Sequence, residues 1–267
     1  MSLTKEVARN TTVDPNSLPA IRQRAATGLI PWIGPLLLLC TRSFVWMASQ
    51  AILALVFLAR HHPTPWREAT YWWSVFFTLG DIACLLGLRC FTRREGIRLR
   101  DLIGPIRMRY GRDLLLGLGY LMLAAPFFIV APALAQRWLY GSSGLNPGAW
   151  LLHSHALPAW AMVYSITLWW FISSPTEEAT YQGYALPRLE ALTGHTWIAV
   201  AVVAFCFTAQ HCVIGFVPDW RFLAWRFLSF LPGCLIVTLI YVRTRRLMPL
   251  IFAHWPMDIA AVLLTAF

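Results

Sequence analysis

The chain has 267 residues, 58% hydrophobic and only 13% charged, and its mean hydropathy is +0.58. That balance excludes an ordinary soluble domain and makes the bilayer the expected solvent. The net charge of +10 would suit a nucleic-acid binder, but the arginines are grouped between apolar runs as topology signals are, so no nucleic acid is expected as a partner.

In chain order, residues 1–27 form a polar tail carrying Lys5, Arg9, Arg22 and Arg24. The tail lacks the apolar core of a signal peptide and is expected to stay cytoplasmic. The remainder, 28–267, reads as a single membrane-embedded domain. Apolar spans are expected at 31–59, 69–91, 114–135, 156–174, 197–217, 222–242 and 248–266, each near the roughly 20 residues that a helix needs to cross the hydrocarbon. Trp32, Trp66, Trp138, Trp197 and Trp220 fall at span ends, where interfacial anchors belong. The basic loop 89–112 and the "RTRR" stretch at 243–246 hold most of the arginines. The positive-inside asymmetry puts both on the side of the N-terminus. Ile97, Ile103 and Ile106 punctuate the basic loop, which reads either as an amphipathic segment on an anionic leaflet or as a solvated topology signal. The six cysteines show no regular spacing, which argues against a disulfide framework. The expected fold class is all-α, a polytopic transmembrane bundle of seven to eight membrane helices. The eighth would be a separate segment carrying the glutamates. An Arg-rich, nearly lysine-free chain of this kind suits a bacterial inner membrane, with the lipid bilayer as its first partner.

Ionisable groups within spans point to function. Arg42 and Asp81 share a depth in the first two spans and are expected to pair. In "SSPTEEATYQG", Glu177 and Glu178 are adjacent, so they point about 100° apart on a helix. No cation sits one turn away, and Gln182, four residues beyond Glu178, offers only a hydrogen bond. His211 in "FTAQH" lies as far after Gly194 as Glu177 lies before it. An antiparallel hairpin turning at Gly194 therefore brings the two to one depth. His254 and Asp258 in "HWPMD" stack on one helical face. Such a set can take a proton from water and hold a developing oxyanion, the two needs of amide hydrolysis. It can equally hold a divalent metal, zinc among the candidates, through Glu177, His211 and His254. The sequence leaves open whether a metal or no cofactor is required. His61, His62, His153, His155 and His195 fall in loops, turns or span ends and are discounted.

These residues resemble the CPBP family of intramembrane proteases, also called the CAAX-protease and bacteriocin-processing or Abi family, which includes the Ras-converting CAAX endoprotease. The family's marks are Glu-Glu-x-x-x-Arg, Phe-x-x-x-His and His-x-x-x-Asn or Asp. Here they read "EEATYQ", "FTAQH" and "HWPMD", and the resemblance covers about 160–267, within a protease-like motif core at about 156–267. It implies that Glu177 and His211 activate water, that His254 and Asp258 form the oxyanion site, that Glu178 supports them and that Phe207 shapes the pocket. The motif arginine is replaced by Gln182. The expected activity is an intramembrane endopeptidase acting on a peptide or membrane-associated protein. The alternative is an inactive relative that binds a peptide or partner as an immunity or scaffold protein. A proton- or cation-coupled transporter is the third reading.

Overall fold

The structure, a computed structural model, describes residues 14–103, 110–141, 146–152 and 157–266. Among these the chain is helical with no strand. A short α1 (Leu18–Ala26) precedes α2 (Ile33–Ala59), α3 (Pro65–Tyr71), α4 (Trp73–Arg94) and α5 (Tyr110–Tyr140). The second half holds α6, a continuous helix over 159–193, then α7 (Thr196–Cys212), α8 (Trp220–Thr244) and α9 (Met248–Ala266).

Five helices (α2, α4, α5, α8 and α9) are long and apolar enough to cross a membrane by length and composition. Their outward faces carry exposed Leu37, Phe44, Leu55, Leu115, Met122 and Ile129, the surface a bilayer would cover. Of the seven to eight spans expected, these five are found by length and composition, and three stretches differ from their expected bounds. Residues 69–91 divide at Trp72 into α3 and the later-starting α4. The run 156–174 is the first part of α6, which continues through the glutamates instead of giving way to a separate eighth helix. Of the run 197–217, α7 supplies a helix of only 17 residues, ending at Cys212.

Close helix contacts are set by glycines. A Cβ on Gly80 of α4 would fall 2.3 Å from Trp46 Nε1 of α2, and one on Gly233 of α8 would fall 2.3 Å from the Phe128 ring of α5. Both pairs of helices can meet only because those positions carry no side chain. Trp46 then stacks on Phe77 at 3.7 Å and its indole donates to the Phe77 carbonyl at 3.2 Å.

α6 lies at the centre. Every residue from Thr176 to Glu190 is buried, although this stretch contains Glu177, Glu178, Gln182, Arg188 and Glu190. A helix buried all round is normally apolar all round, so each of these polar groups needs a partner. The helix is also irregular, with π stretches at Ser165–Trp169 and Ala179–Ala185. Such expansions are frequent at functional sites. Just beyond the second, Pro187 has no N–H to offer the Gly183 carbonyl four residues back. That carbonyl accepts instead from Asn16 Nδ2 at 3.1 Å and Arg188 at 3.3 Å. Arg188 closes a buried clamp: its Nε and Nη2 donate to Glu95 Oε1 and Oε2 at 3.1 and 2.8 Å, and its Nη1 to Asn16 Oδ1 at 2.6 Å. Arg24 of α1 reaches the same carboxylate at 3.3 Å.

The clamp ties residues before α2 to the middle of the bundle. Residues 1–13 of the expected tail lie outside the described residues. In the basic loop, Ile97 is buried and Ile103 packs on the main core, so neither is free to face a leaflet; Ile106 lies outside the described residues. Core packing wins because that cluster buries these side chains against α6.

Candidate active site

The expected hairpin is present. Gly194 ends α6 in the left-handed conformation, with φ 72°, as a helix C-terminus favours, and α7 returns from it. Glu177 and His211 line one cavity of about 250 Å³ with Glu178, His254, Asp258 and Phe207. Of the residues expected at the site, all but Gln182 line this one cavity.

Contacts within the cavity differ in detail from the expected pairing. His254 is the hub. Its Nδ1 hydrogen-bonds Glu178 Oε1 at 2.9 Å. Its Nε2 lies 3.7 Å from Glu177 Oε1 and 3.5 Å from Asp258 Oδ1. Asp258 Oδ2 accepts from the Ser174 hydroxyl at 2.6 Å. An imidazole oriented through one nitrogen by a carboxylate presents the other in a defined direction. His211 is held differently. Its Nδ1 donates to the Phe207 carbonyl at 2.8 Å, and its ring stacks on Phe230 at 4.2 Å. A neutral ring held that way keeps its Nε2 lone pair for another donor. Phe207 therefore acts through its carbonyl on His211 as well as through its ring, which stacks on Tyr181 at 4.9 Å.

The pairing of Arg42 with Asp81 is observed, with Nη2 2.8 Å from Oδ1 in an ion contact that lacks hydrogen-bond alignment. The same guanidinium also binds Glu177 Oε2 and donates to the Ser173 hydroxyl at 3.0 Å. Arg42 and the two serines are the site residues the sequence reading missed. Arg42 carried a signal, being the sole basic residue of an apolar span. Ser173 and Ser174 carried none, since serine is common in helices and their roles depend on partners 131 and 84 residues away. The glutamate pair therefore has a cation after all, delivered to Glu177 from α2. Gln182 does not reach the glutamates by hydrogen bond; its Nε2 donates to Thr238 at 3.3 Å.

Several carboxylate oxygens remain unclaimed. Glu177 Oε1 and Glu178 Oε2 are buried without a hydrogen-bond partner. Buried acceptors are rarely left so, and here they border a cavity that can admit water or substrate. Among the described residues no three His, Cys, Asp or Glu side chains converge in metal-holding geometry. One oxygen of Glu177 is already taken by Arg42. The candidate ligand set Glu177, His211 and His254 does not fit a metal in this arrangement.

The discounted histidines lie elsewhere. His62 approaches Glu68 at 3.6 Å, His61 follows the end of α2, and His195 is the residue before α7. His153 and His155 lie outside the described residues.

No curated protein and no solved structure matches the chain. A family model, type II CAAX prenyl endopeptidase Rce1-like, matches residues 158–260. That stretch carries Glu177, Glu178, His211, His254 and Asp258. This Rce1-like match over residues 158–260 supports assignment to the CPBP, or CAAX-protease, family.

Proposed function

We propose that the protein is a multi-pass membrane endopeptidase that hydrolyses a peptide bond in a peptide or membrane-associated protein, using water activated by Glu177. The observation that carries this reading is the arrangement around His254. One nitrogen is held by Glu178, the other faces Glu177 and Asp258, and a Glu177 oxygen is left without a hydrogen-bond partner beside a cavity.

In this reading a water sits between Glu177 Oε1 and His211 Nε2 and gives up a proton as its oxygen attacks the scissile carbonyl carbon. His254, oriented by Glu178, donates from Nε2 to the oxyanion that forms. Preorganised donors of this kind supply much of the barrier reduction in acyl transfer. Collapse breaks the C–N bond, and the proton taken from water passes to the leaving nitrogen. Asp258 accepts from Ser174 and faces His254, so it orients the imidazole rather than holding an oxyanion directly; a carboxylate would repel one. Arg42 fixes Glu177 by one oxygen and leaves the other for water. We assign the protein to the cell membrane, in keeping with its five long apolar helices. The positive-inside pattern favours a cytoplasmic N-terminus, and α6 and α7 would bring the membrane helices to seven.

A second reading, an inactive binding relative, draws on Gln182, which supplies no charge. Arg42 weighs against it by bringing a cation to the glutamate pair from another helix. The two are separated by comparing protein termini from membranes and medium of cells making wild type or Glu177→Gln at matched levels. Termini that vanish in the variant support hydrolysis and identify the substrate. Identical termini from two folded, membrane-inserted proteins would sink it and leave the binding reading.

A further inference from the structure

Among the described residues three arginines are buried: Arg42, Arg188 and Arg226. The first two are matched to carboxylates, Arg42 to Asp81 and Glu177 and Arg188 to Glu95. Arg226, on α8, forms no ion pair with a carboxylate among the described residues. Its only hydrogen bond there runs from Nε to the His211 carbonyl at 3.0 Å, and its guanidinium lies over the Phe230 ring at 4.7 Å. It is 7% exposed and lines the same cavity as Glu177 and His254.

A guanidinium stays charged in any protein setting and carries five donors in a planar fork. Burying it with one carbonyl and the rings of Phe230 and Trp225 as company is costly unless an anion completes it. The cavity wall around it is largely aromatic and aliphatic, with Trp46, Phe128 and Leu151. At about 250 Å³ the cavity is just below the usual range of ligand pockets, roughly 300–1,000 Å³, so it takes a short stretch of chain.

We infer that Arg226 binds a carboxylate of the substrate, anchoring a short apolar peptide segment with its scissile bond toward Glu177. This rests on the peptidase reading. The carboxylate is either the C-terminus of the segment or an acidic side chain within it. Arg226 also reports on its own engagement, because the carbonyl it holds belongs to His211. A bound anion would therefore brace the histidine that faces the water.

The test is binding, so it is independent of cleavage. Purified full-length protein in detergent micelles is titrated with Ac-Phe-Leu-Phe-OH, its C-terminal amide, and Ac-Phe-Glu-Phe-NH2, followed by intrinsic tryptophan fluorescence. The expected result is at least tenfold tighter binding of one carboxylate peptide than of the neutral amide. Which one binds identifies the source. The preference should fall to within about twofold in Arg226→Gln and persist in part in Arg226→Lys, which keeps the charge. Equal affinity for all three peptides, binding of none, or a preference unchanged in Arg226→Gln would overturn the assignment. The wild-type comparison stands even where Arg226→Gln does not fold. The comparison of termini in Glu177→Gln cells separately decides whether the protein cuts.

Discussion

Arg188 and Arg42 are both wholly buried, both bind a glutamate and both attach the central helix α6 to the N-terminal half, yet they leave their surroundings in opposite states. At Arg188 every guanidinium nitrogen has an acceptor, and both Glu95 oxygens are taken. At Arg42 the Nε has no hydrogen-bond partner, the Asp81 oxygens make no aligned bond, and one oxygen each of Glu177 and Glu178 is left over. The first cluster is closed within the protein. The second borders a cavity. Satisfied buried networks rigidify a fold, whereas unsatisfied ones call for an explanation. On the proposed peptidase reading, the remaining partners are water and substrate.

That contrast is broken or sharpened by substitution. Glu177→Gln keeps the shape but removes the proposed base, so cleavage of the natural substrate should fall about 10²–10⁴-fold. Its unfolding midpoint in denaturant should barely move, since Asp81 still faces Arg42. Glu95→Gln should do the reverse. It strands Arg188, a change worth about 3–5 kcal/mol of stability, while the cleavage rate per folded molecule, measured in the same micelles, stays within severalfold. If each variant moves both readouts alike, the separation of a working cluster from a structural one fails.

Gly80→Ala tests the packing that holds Arg42 and Asp81 together on α2 and α4. The added Cβ meets Trp46 at 2.3 Å, and overpacking of this kind costs about 1–3 kcal/mol. A denaturation curve superimposable on wild type would show that the two helices can part without cost. The smallest effect is expected of Gln182→Ala. It loses one hydrogen bond to Thr238, worth about 1 kcal/mol, and cleavage should stay near wild type. A large loss of cleavage with stability intact would mean that Gln182 serves the glutamates after all.

Much of the site was legible as residue types in a linear order. Glu177, Glu178, His211, His254 and Asp258 stand out because ionisable groups are expensive in apolar sequence. Gly194 marks the turn because its backbone must go left-handed. The i and i+4 spacing already stacks His254 with Asp258. Other partners lay beyond local context. Gln182 supplies no charge to Glu178, and the guanidinium that reaches Glu177 comes from Arg42, 135 residues before Glu177 in the chain. The span bounds shifted for a related reason. Hydropathy sees 156–174 as a membrane run but cannot see that α6 continues, buried on all sides, past the glutamates.

Composition and spacing by themselves determined the membrane setting, the helical class and the candidate chemical groups, because these follow from transfer cost and helical period, which are local properties of the chain. The tertiary structure decided which carboxylate faces which base. His254 rather than His211 contacts the glutamates and Asp258, Arg42 serves Glu177, and Arg226 is left without an acid. Those partnerships depend on the stagger and close approach of α2, α6, α8 and α9. That geometry is set by glycines, prolines and π stretches whose effects sum over many residues and cannot be read at any one of them.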